Sequence, residues 1–514
     1  MRSVPRRRLT VLTLVAILAV AVVAGLIASH RTSAHDRDDA AHAAAGQPLP
    51  LTVSTAPAGR AIQPGFLGLS LEYPAVEAYA GSDPKAVNPV FEQLIRNLAP
   101  GQAPNLRIGG DTTDWTWWPV PGVAKPHGVR YTIGDNWAAV TSALAHGVGA
   151  RLILGINLEL DSKADAATEA RALLAAIGPD SIQALELGNE PELYGSFSFY
   201  KNAAGRHFNG RPAGYDFSKY LSDFARIAGS LPDVPLAGPA TGGPKWIPEL
   251  GRFLRAEPRV TLATLHRYPL QLCFRPAASP AYPTVAHILA PTASEGLADS
   301  VAPLVGAAHS RHIALRIDEM NSVSCGGAPG VSNAFASALW VLDSVFEMAR
   351  VGVDGVNIHT YPKAPYELFT FAHDGDSWSG SVAPEYYGLE MFAQAAPAGA
   401  HLLKTTGSLG NIRAWATRAP NGTIHVVLIN DYTAQSRTIA LRVPGAGGTA
   451  TLERLRAPGV SARTGVTLGG QSFGTATTTG LLSGPSDATT VKAANGDYLV
   501  KLPQASAAML TLSH

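Results

Sequence analysis

The chain is poor in the features that mark several common kinds of protein. Only 2 of its 514 residues are cysteine, too few for a disulfide-held scaffold, and no CxxC pair offers a zinc site. An excess of one charge is also lacking. The 40 Lys and Arg balance 39 Asp and Glu, so there is no basic surface with which to displace counterions from nucleic acid. Charged residues amount to 15%, which excludes a coiled-coil rod. Long apolar runs are missing beyond the N-terminus, where one extends from Leu9 to Ala28; no later segment reaches the ~18 residues of a membrane span. An ordinary apolar share of 46% excludes wholesale disorder. What remains is a soluble body of two or three domains.

The start of the chain predicts export. Arg2, Arg6, Arg7 and Arg8 precede the apolar run, and such a basic cluster stays on the cytoplasmic side. Residues 1–29 read as a signal peptide or a signal anchor, and both fates are open. The length of the run favours an anchor; the small residues around Ala34 and Ala45 suit cleavage. Residues 30–49 read as a flexible linker. The protein is thus expected outside the cell or on the outer face of the cytoplasmic membrane, touching the membrane only through this segment. In an oxidising compartment, pairing of Cys273 with Cys325 is the simplest reading, and two free buried thiols the alternative.

From about residue 61 short apolar runs alternate with helical patterns. Strands are predicted at 66–72, 105–109, 151–157, 181–188, 234–238, 260–266, 313–319 and 354–359, and helices at 89–98, 137–147, 164–177, 217–228, 294–309 and 333–351. Eight βα units over 61–396 point to an α/β fold, a (β/α)8 TIM barrel. An open doubly wound sheet would require a GxGxxG turn after the first strand, which is missing. Residues 397–514 instead show short alternating runs separated by Gly, Pro, Ser and Thr, the pattern of an antiparallel β-sandwich. Residues 50–60 read as a further strand of that sandwich.

Barrel enzymes carry their chemistry at the C-terminal strand ends, where this chain places Glu72, Arg107 to Asp111, Asn189-Glu190, His266 to Tyr268, Asp318-Glu319 and His359 to Tyr361. Glu190 and Glu319, ending the fourth and seventh strands, form the acid and carboxylate pair that glycosidic cleavage requires. Because neighbouring strand residues point to opposite faces, only one of Asp318 and Glu319 is expected to face the pocket. Ile313 and Ile317 would share the inward parity of Glu319, with Arg316 and Asp318 towards the helices. Trp115, Trp117 and Trp118 suit stacking on sugar rings. His266 and His359 lack a third ligand at fixed spacing, so neither a metal nor a cofactor is expected.

The runs Leu106-Arg107-Ile108-Gly109-Gly110-Asp111 with Asp114, Gly188-Asn189-Glu190-Pro191, His266-Arg267-Tyr268 and Glu319-Met320-Asn321-Ser322-Val323-Ser324-Cys325-Gly326-Gly327 resemble glycoside hydrolase family 79, the β-glucuronidase and heparanase group of retaining barrel glycosidases. The resemblance covers the barrel and extends to the family's C-terminal β domain. It implies Glu190 as general acid/base, Glu319 as nucleophile, Asn189 at the sugar 2-hydroxyl, and Tyr268 and Arg107 beside the nucleophile. Glu72, Asp111 and His266 are expected among the substrate contacts. The resemblance further implies that Gly326 and Gly327 hold a sugar carboxylate with backbone N–H groups, helped by Tyr366 or Tyr361. Ser324 stands where well-known members carry a tyrosine, which leaves glucuronic acid, its 4-O-methyl form and a neutral sugar open. The expected partner is a uronic-acid-containing glycan or glycoside. Without a run of basic residues, attack at chain ends is favoured over internal cleavage. A neutral-sugar glycosidase of the same clan and a non-catalytic glycan-binding envelope protein are the rival readings.

Overall fold

The computed structural model describes residues 47–375, 377–446 and 448–513. The signal or anchor segment 1–29 and most of the 30–49 linker lie outside them. Among the described residues no helix is long and apolar enough to cross a membrane.

Eight parallel strands close a barrel: β2 (Leu67–Glu72), β3 (Asn105–Gly109), β4 (Arg151–Ile156), β5 (Ile182–Leu187), β6 (Leu236–Thr241), β7 (Val260–Arg267), β8 (Ala314–Met320) and β9 (Gly355–Thr360). The expected TIM barrel is therefore borne out. Alternate residues such as Leu69, Leu71, Leu106, Ile108 and Ile317 join the hydrophobic layer shared with the helices. The helices form where apolar residues recur at helical spacing. In Pro89–Leu98, Asn88 caps the N-terminus by accepting from the N–H groups of Val90 and Phe91, while Val90, Phe91, Leu94, Ile95 and Leu98 are buried. The helix expected at 294–309 is instead two, Pro291–Asp299 and Ala302–His309. Pro303 has no N–H to give the Asp299 carbonyl, so a continuous helix is interrupted there.

The lumen departs from the usual filling of branched apolar side chains. At its base Arg316 Nη2 donates to the Gly65 carbonyl at 2.6 Å, and Asn357 Nδ2 donates to Asn105 Oδ1 at 2.8 Å. Gly355 leaves the space that the Arg316 guanidinium fills, since a β-carbon there would collide with it. One layer higher Arg107 lies fully buried between Glu186 and Asp318, with Nε 2.8 Å and 3.1 Å from their carboxylates. The inward parity expected for β8 is thereby corrected. Arg316 and Asp318 face the lumen and Ile317 faces the helices, yet Glu319 faces the lumen as well. The cause is a β-bulge: Ile317 pairs with Leu265 but Glu319 pairs with His266, so residue 318 is the extra one.

Downstream of the barrel, β10 (His401–Thr406), β11 (Ile412–Arg418), β12 (Ile424–Asn430), β13 (Arg437–Arg442), β14 (Thr449–Arg456), β15 (Thr467–Leu468), β16 (Thr489–Lys492), β17 (Asp497–Leu502) and β18 (Ser506–Leu512) form a second, mostly antiparallel domain. The strand before the barrel, β1 (Leu49–Ala61), joins this sheet between β10 and β13. Strand alternation builds both faces. Val426, Leu428 and Leu510 enter the domain's own core, whereas Val427, Ile429 and Met509 pack into the cluster that includes the barrel helices. The two domains thus share apolar surface, and both ends of the barrel emerge beside the sheet.

Candidate active site

The rim above β2 to β9 collects the residues singled out in the sequence. Glu319 stands at its floor, 7% exposed. Its Oε2 accepts from Arg107 Nη1 at 2.6 Å and its Oε1 from the Tyr268 hydroxyl at 2.8 Å. Burial alone would raise its pKa, but the facing His359, His266 and Arg107 charges and the Tyr268 hydroxyl outweigh burial. They hold Glu319 well below the usual carboxylate range. Asp318 differs although it is adjacent in sequence. It is fully buried beneath the pocket, and desolvation with the nearby Glu186 charge pushes its pKa far up. Of the two acids, Glu319 is therefore the accessible anion.

Glu190 follows β5 in the left-handed region, with φ 44° and ψ 55°. The conformation is strained for a residue with a side chain. The adjoining Pro191 and the bond from Glu190 N–H to the Ala240 carbonyl at 2.9 Å fix it. A quarter of its side chain remains exposed, and Oε1 lies 3.1 Å from His266 Nδ1. Glu190, His266 and Glu319 each bring one oxygen or nitrogen within 4.8 Å of the others. Three such groups could in geometry share a cation, but all are engaged. Glu319 is held by Arg107 and Tyr268, and the His266 ring nitrogens face Glu190 and Arg107. Burial opposes charge on His266, yet Glu319 and Asp318 raise its pKa to about 10.

The surrounding residues are ordered from below. Asn189 Oδ1 accepts from Arg107 Nη2 at 2.9 Å, which turns its amide nitrogen towards the pocket, 3.2 Å from Asp111 Oδ1. Asp111 sits on the exposed rim. Glu72 accepts from the N–H groups of Asp111 at 3.2 Å and Thr112 at 2.8 Å, satisfying the start of the Thr112–Trp115 turn. His359 Nε2 approaches Glu72 at 3.5 Å. Beneath them the buried Asp114 carboxylate gathers four donors, the N–H groups of Leu158, Glu159 and Asn189 and the Tyr194 hydroxyl, within 3.1 Å. This hub locks together the loops after β3, β4 and β5.

The loop after β8 carries the glycine run. Cys325, Gly326 and Gly327 have successive φ values of 67°, 85° and 89°, a left-handed stretch that glycine tolerates. Any β-carbon on Gly327 would lie 2.9 Å from the Tyr366 ring. Tyr268, Tyr361 and Tyr366 surround this run, with ring centroids 6.5 Å apart for Tyr268–Tyr366 and 5.8 Å for Tyr361–Tyr366. Ser324 Oγ instead donates to the Leu270 carbonyl at 3.4 Å. Of the three tryptophans, Trp117 is buried with Nε1 donating to Thr132, and Trp115 lies under the Arg130 guanidinium at 3.6 Å.

The expected cysteine pairing is borne out. Cys273 and Cys325 form a disulfide with Cα atoms 6.0 Å apart, beside a parallel pairing of Leu270–Gln271 with Val323–Ser324. It fastens the loop after β7 to the loop holding the glycine run. Replacing both cysteines with serine is expected to destabilise the protein by about 2–4 kcal/mol in urea unfolding, through the greater freedom of the unfolded chain.

Glu186 and Tyr194 complete the site's foundation, and neither is among the residues that the sequence singles out. A glutamate among the apolar residues Ala184, Leu185 and Leu187 is a usable signal, since an unpaired charge is rarely buried. Tyr194 carries no comparable mark.

Comparison with known proteins points the same way. Residues 409–509 match the glycosyl hydrolase family 79 C-terminal beta domain. A β-glucuronidase of Aspergillus niger is 23% identical over 509 residues, spanning 87% of this chain and 90% of that protein. One of Neurospora crassa is 22% identical, spanning 65% of this chain and 63% of its own. Among solved structures, a 4-O-α-L-rhamnosyl-β-D-glucuronidase from Fusarium oxysporum 12S bound to Rha-GlcA shares the fold with TM-score 0.69 at 21% identity, covering 90% of this chain and all of that one. A GH51 arabinofuranosidase from Xanthomonas axonopodis pv. citri reaches 0.61 at 16% identity, covering 91% and 100%.

Proposed function

We propose that this chain, whose resemblance to glycoside hydrolase family 79 is borne out, is an exported, retaining, exo-acting β-glucuronidase. The observation that carries this reading is the approach of the Glu190 and Glu319 carboxyl oxygens to within 4.8 Å. Carboxyl groups about 5 Å apart leave no room for a water between the second carboxylate and the anomeric carbon, which suits direct attack by that carboxylate. In the first step Glu190 gives its proton to the glycosidic oxygen while Glu319 attacks the anomeric carbon. The C–O bond to the leaving group breaks, the aglycone departs as an alcohol, and a glycosyl ester forms on Glu319. In the second step the Glu190 carboxylate takes a proton from water, whose oxygen attacks the same carbon and releases Glu319. Two displacements retain the configuration.

Arg107 and Tyr268 orient Glu319 and keep it ionised, and the Asn189 amide nitrogen is placed for the sugar 2-hydroxyl. The N–H groups of the Gly326-Gly327 run, with Tyr361 and Tyr366 beside them, form a concavity suited to a sugar carboxylate. Export is supported by the disulfide and by the basic and apolar N-terminal pattern, which fits a secreted protein or one anchored on the outer face of the cytoplasmic membrane.

The test is turnover of nitrophenyl β-glucuronide against the glucoside, xyloside and arabinofuranoside, with the first-formed anomer read by proton NMR. The glucuronide should be preferred and the β anomer appear first. Turnover of a neutral glycoside alone would overturn the sugar assignment, and initial α product would overturn retention. A pH profile adds a second test. A nucleophile held below the usual carboxylate pKa stays ionised, and active, as pH falls past about 4.3, the ordinary glutamate value. Tyr268→Phe removes one stabilising donor, so the acid limb of kcat/KM should move to higher pH.

A further inference from the structure

We infer that Phe197, Leu272 and Phe274 form a leaving-group platform for a flat apolar aglycone, so that the preferred substrates of this site are glycosides of aryl or similarly apolar alcohols; this rests on the hydrolase reading above. Large apolar side chains are rarely left in water side by side, and a cluster of them marks a binding surface. Phe274 is 60% exposed, Phe197 44% and Leu272 38%, which places all three among the few large apolar side chains so exposed in the described residues. They come together across two loops: the Phe197 and Phe274 rings meet edge to face with centroids 5.8 Å apart.

Their position assigns the occupant. Phe197 follows Glu190 in the loop after β5. Leu272 and Phe274 flank Cys273, whose disulfide ties them to Cys325 in the loop after Glu319. The platform is therefore pinned to the loops of both carboxylates. The glycine run with Tyr268, Tyr361 and Tyr366 is the part read above as the glycon site. Glu190, the group that must protonate the departing oxygen, shares the loop after β5 with Phe197. The three side chains carry no hydrogen-bonding atom, so what they offer a leaving group is apolar surface and ring faces. A flat apolar group would bury both rings and itself.

The test compares kcat/KM for naphthyl, methyl and disaccharide glycosides, built on whichever glycon the wild-type enzyme turns over, in wild type, Phe197→Ala, Phe274→Ala and the double variant. Using ratios to wild type cancels leaving-group reactivity, and the choice of glycon separates this inference from the sugar assignment. The naphthyl-to-methyl selectivity should fall about tenfold in each single variant, through KM, and further in the double. Equal loss on naphthyl and methyl substrates, or none, would overturn the platform. Loss confined to the disaccharide would replace the apolar aglycone with a sugar. Calorimetric binding of the naphthyl glycoside in a Glu319→Gln background gives the same comparison without turnover: its Kd should rise about tenfold in Phe274→Ala, and an unchanged Kd would contradict the inference.

Discussion

Glu319→Gln is expected to yield a folded protein whose turnover is lower by at least about 10⁴-fold, the scale seen when a covalent nucleophile is removed. The amide matches the carboxylate in shape and can still accept from Arg107 Nη1, now at 2.6 Å from Oε2. It cannot form the glycosyl ester, and it deprives Arg107, His266 and His359 of the charge they face. Circular dichroism and the thermal midpoint check the fold. The neighbouring residue supplies the control: Asp318 lies buried under the floor, with burial and Glu186 favouring its neutral form. Asp318→Asn should accordingly cost far less than Glu319→Gln. A reversed order would reassign the nucleophile.

The second large effect depends on the substrate. Glu190→Gln removes the proton donor, so glycosides of alkyl alcohols should slow by about 10²–10⁴-fold. Glycosides with strongly activated leaving groups, such as dinitrophenyl, need little protonation and should keep a first step close to wild type. Their second step still lacks a base, so a burst of released phenol followed by slow turnover is the expected trace. Uniform loss across all leaving groups would mean that Glu190 positions the substrate instead of protonating it.

Much of this site is legible in the sequence because parallel barrel strands write themselves plainly there. Short apolar runs mark β2 to β9 within a few residues, and the polar groups at the ends of those runs bring Glu190, Glu319, Arg107, Asn189 and Tyr268 together. Facing is less legible than position. Period-two alternation assigns Asp318 to the helices, but the bulge at residue 318 places both acids towards the lumen. Nothing in the local sequence marks a bulge, since it is decided by pairing with β7. The floor of the site is obscured for a related reason: Arg107 is neutralised from across the barrel by Glu186 and Glu319, and each alone reads as a misplaced charge. The strand β10 has little signature because His401–Thr406 is brief and comes after a Pro- and Gly-containing turn.

The most direct test is covalent. A cyclophellitol-type uronate, which traps the attacking carboxylate as an ester, should add one equivalent of label, abolish activity, and be found by peptide mass spectrometry on Glu319. Glu319→Gln should take up none, while Glu190→Gln should still be labelled, more slowly. Label on Asp318, on Glu190 or nowhere in an active enzyme would contradict a double displacement through Glu319.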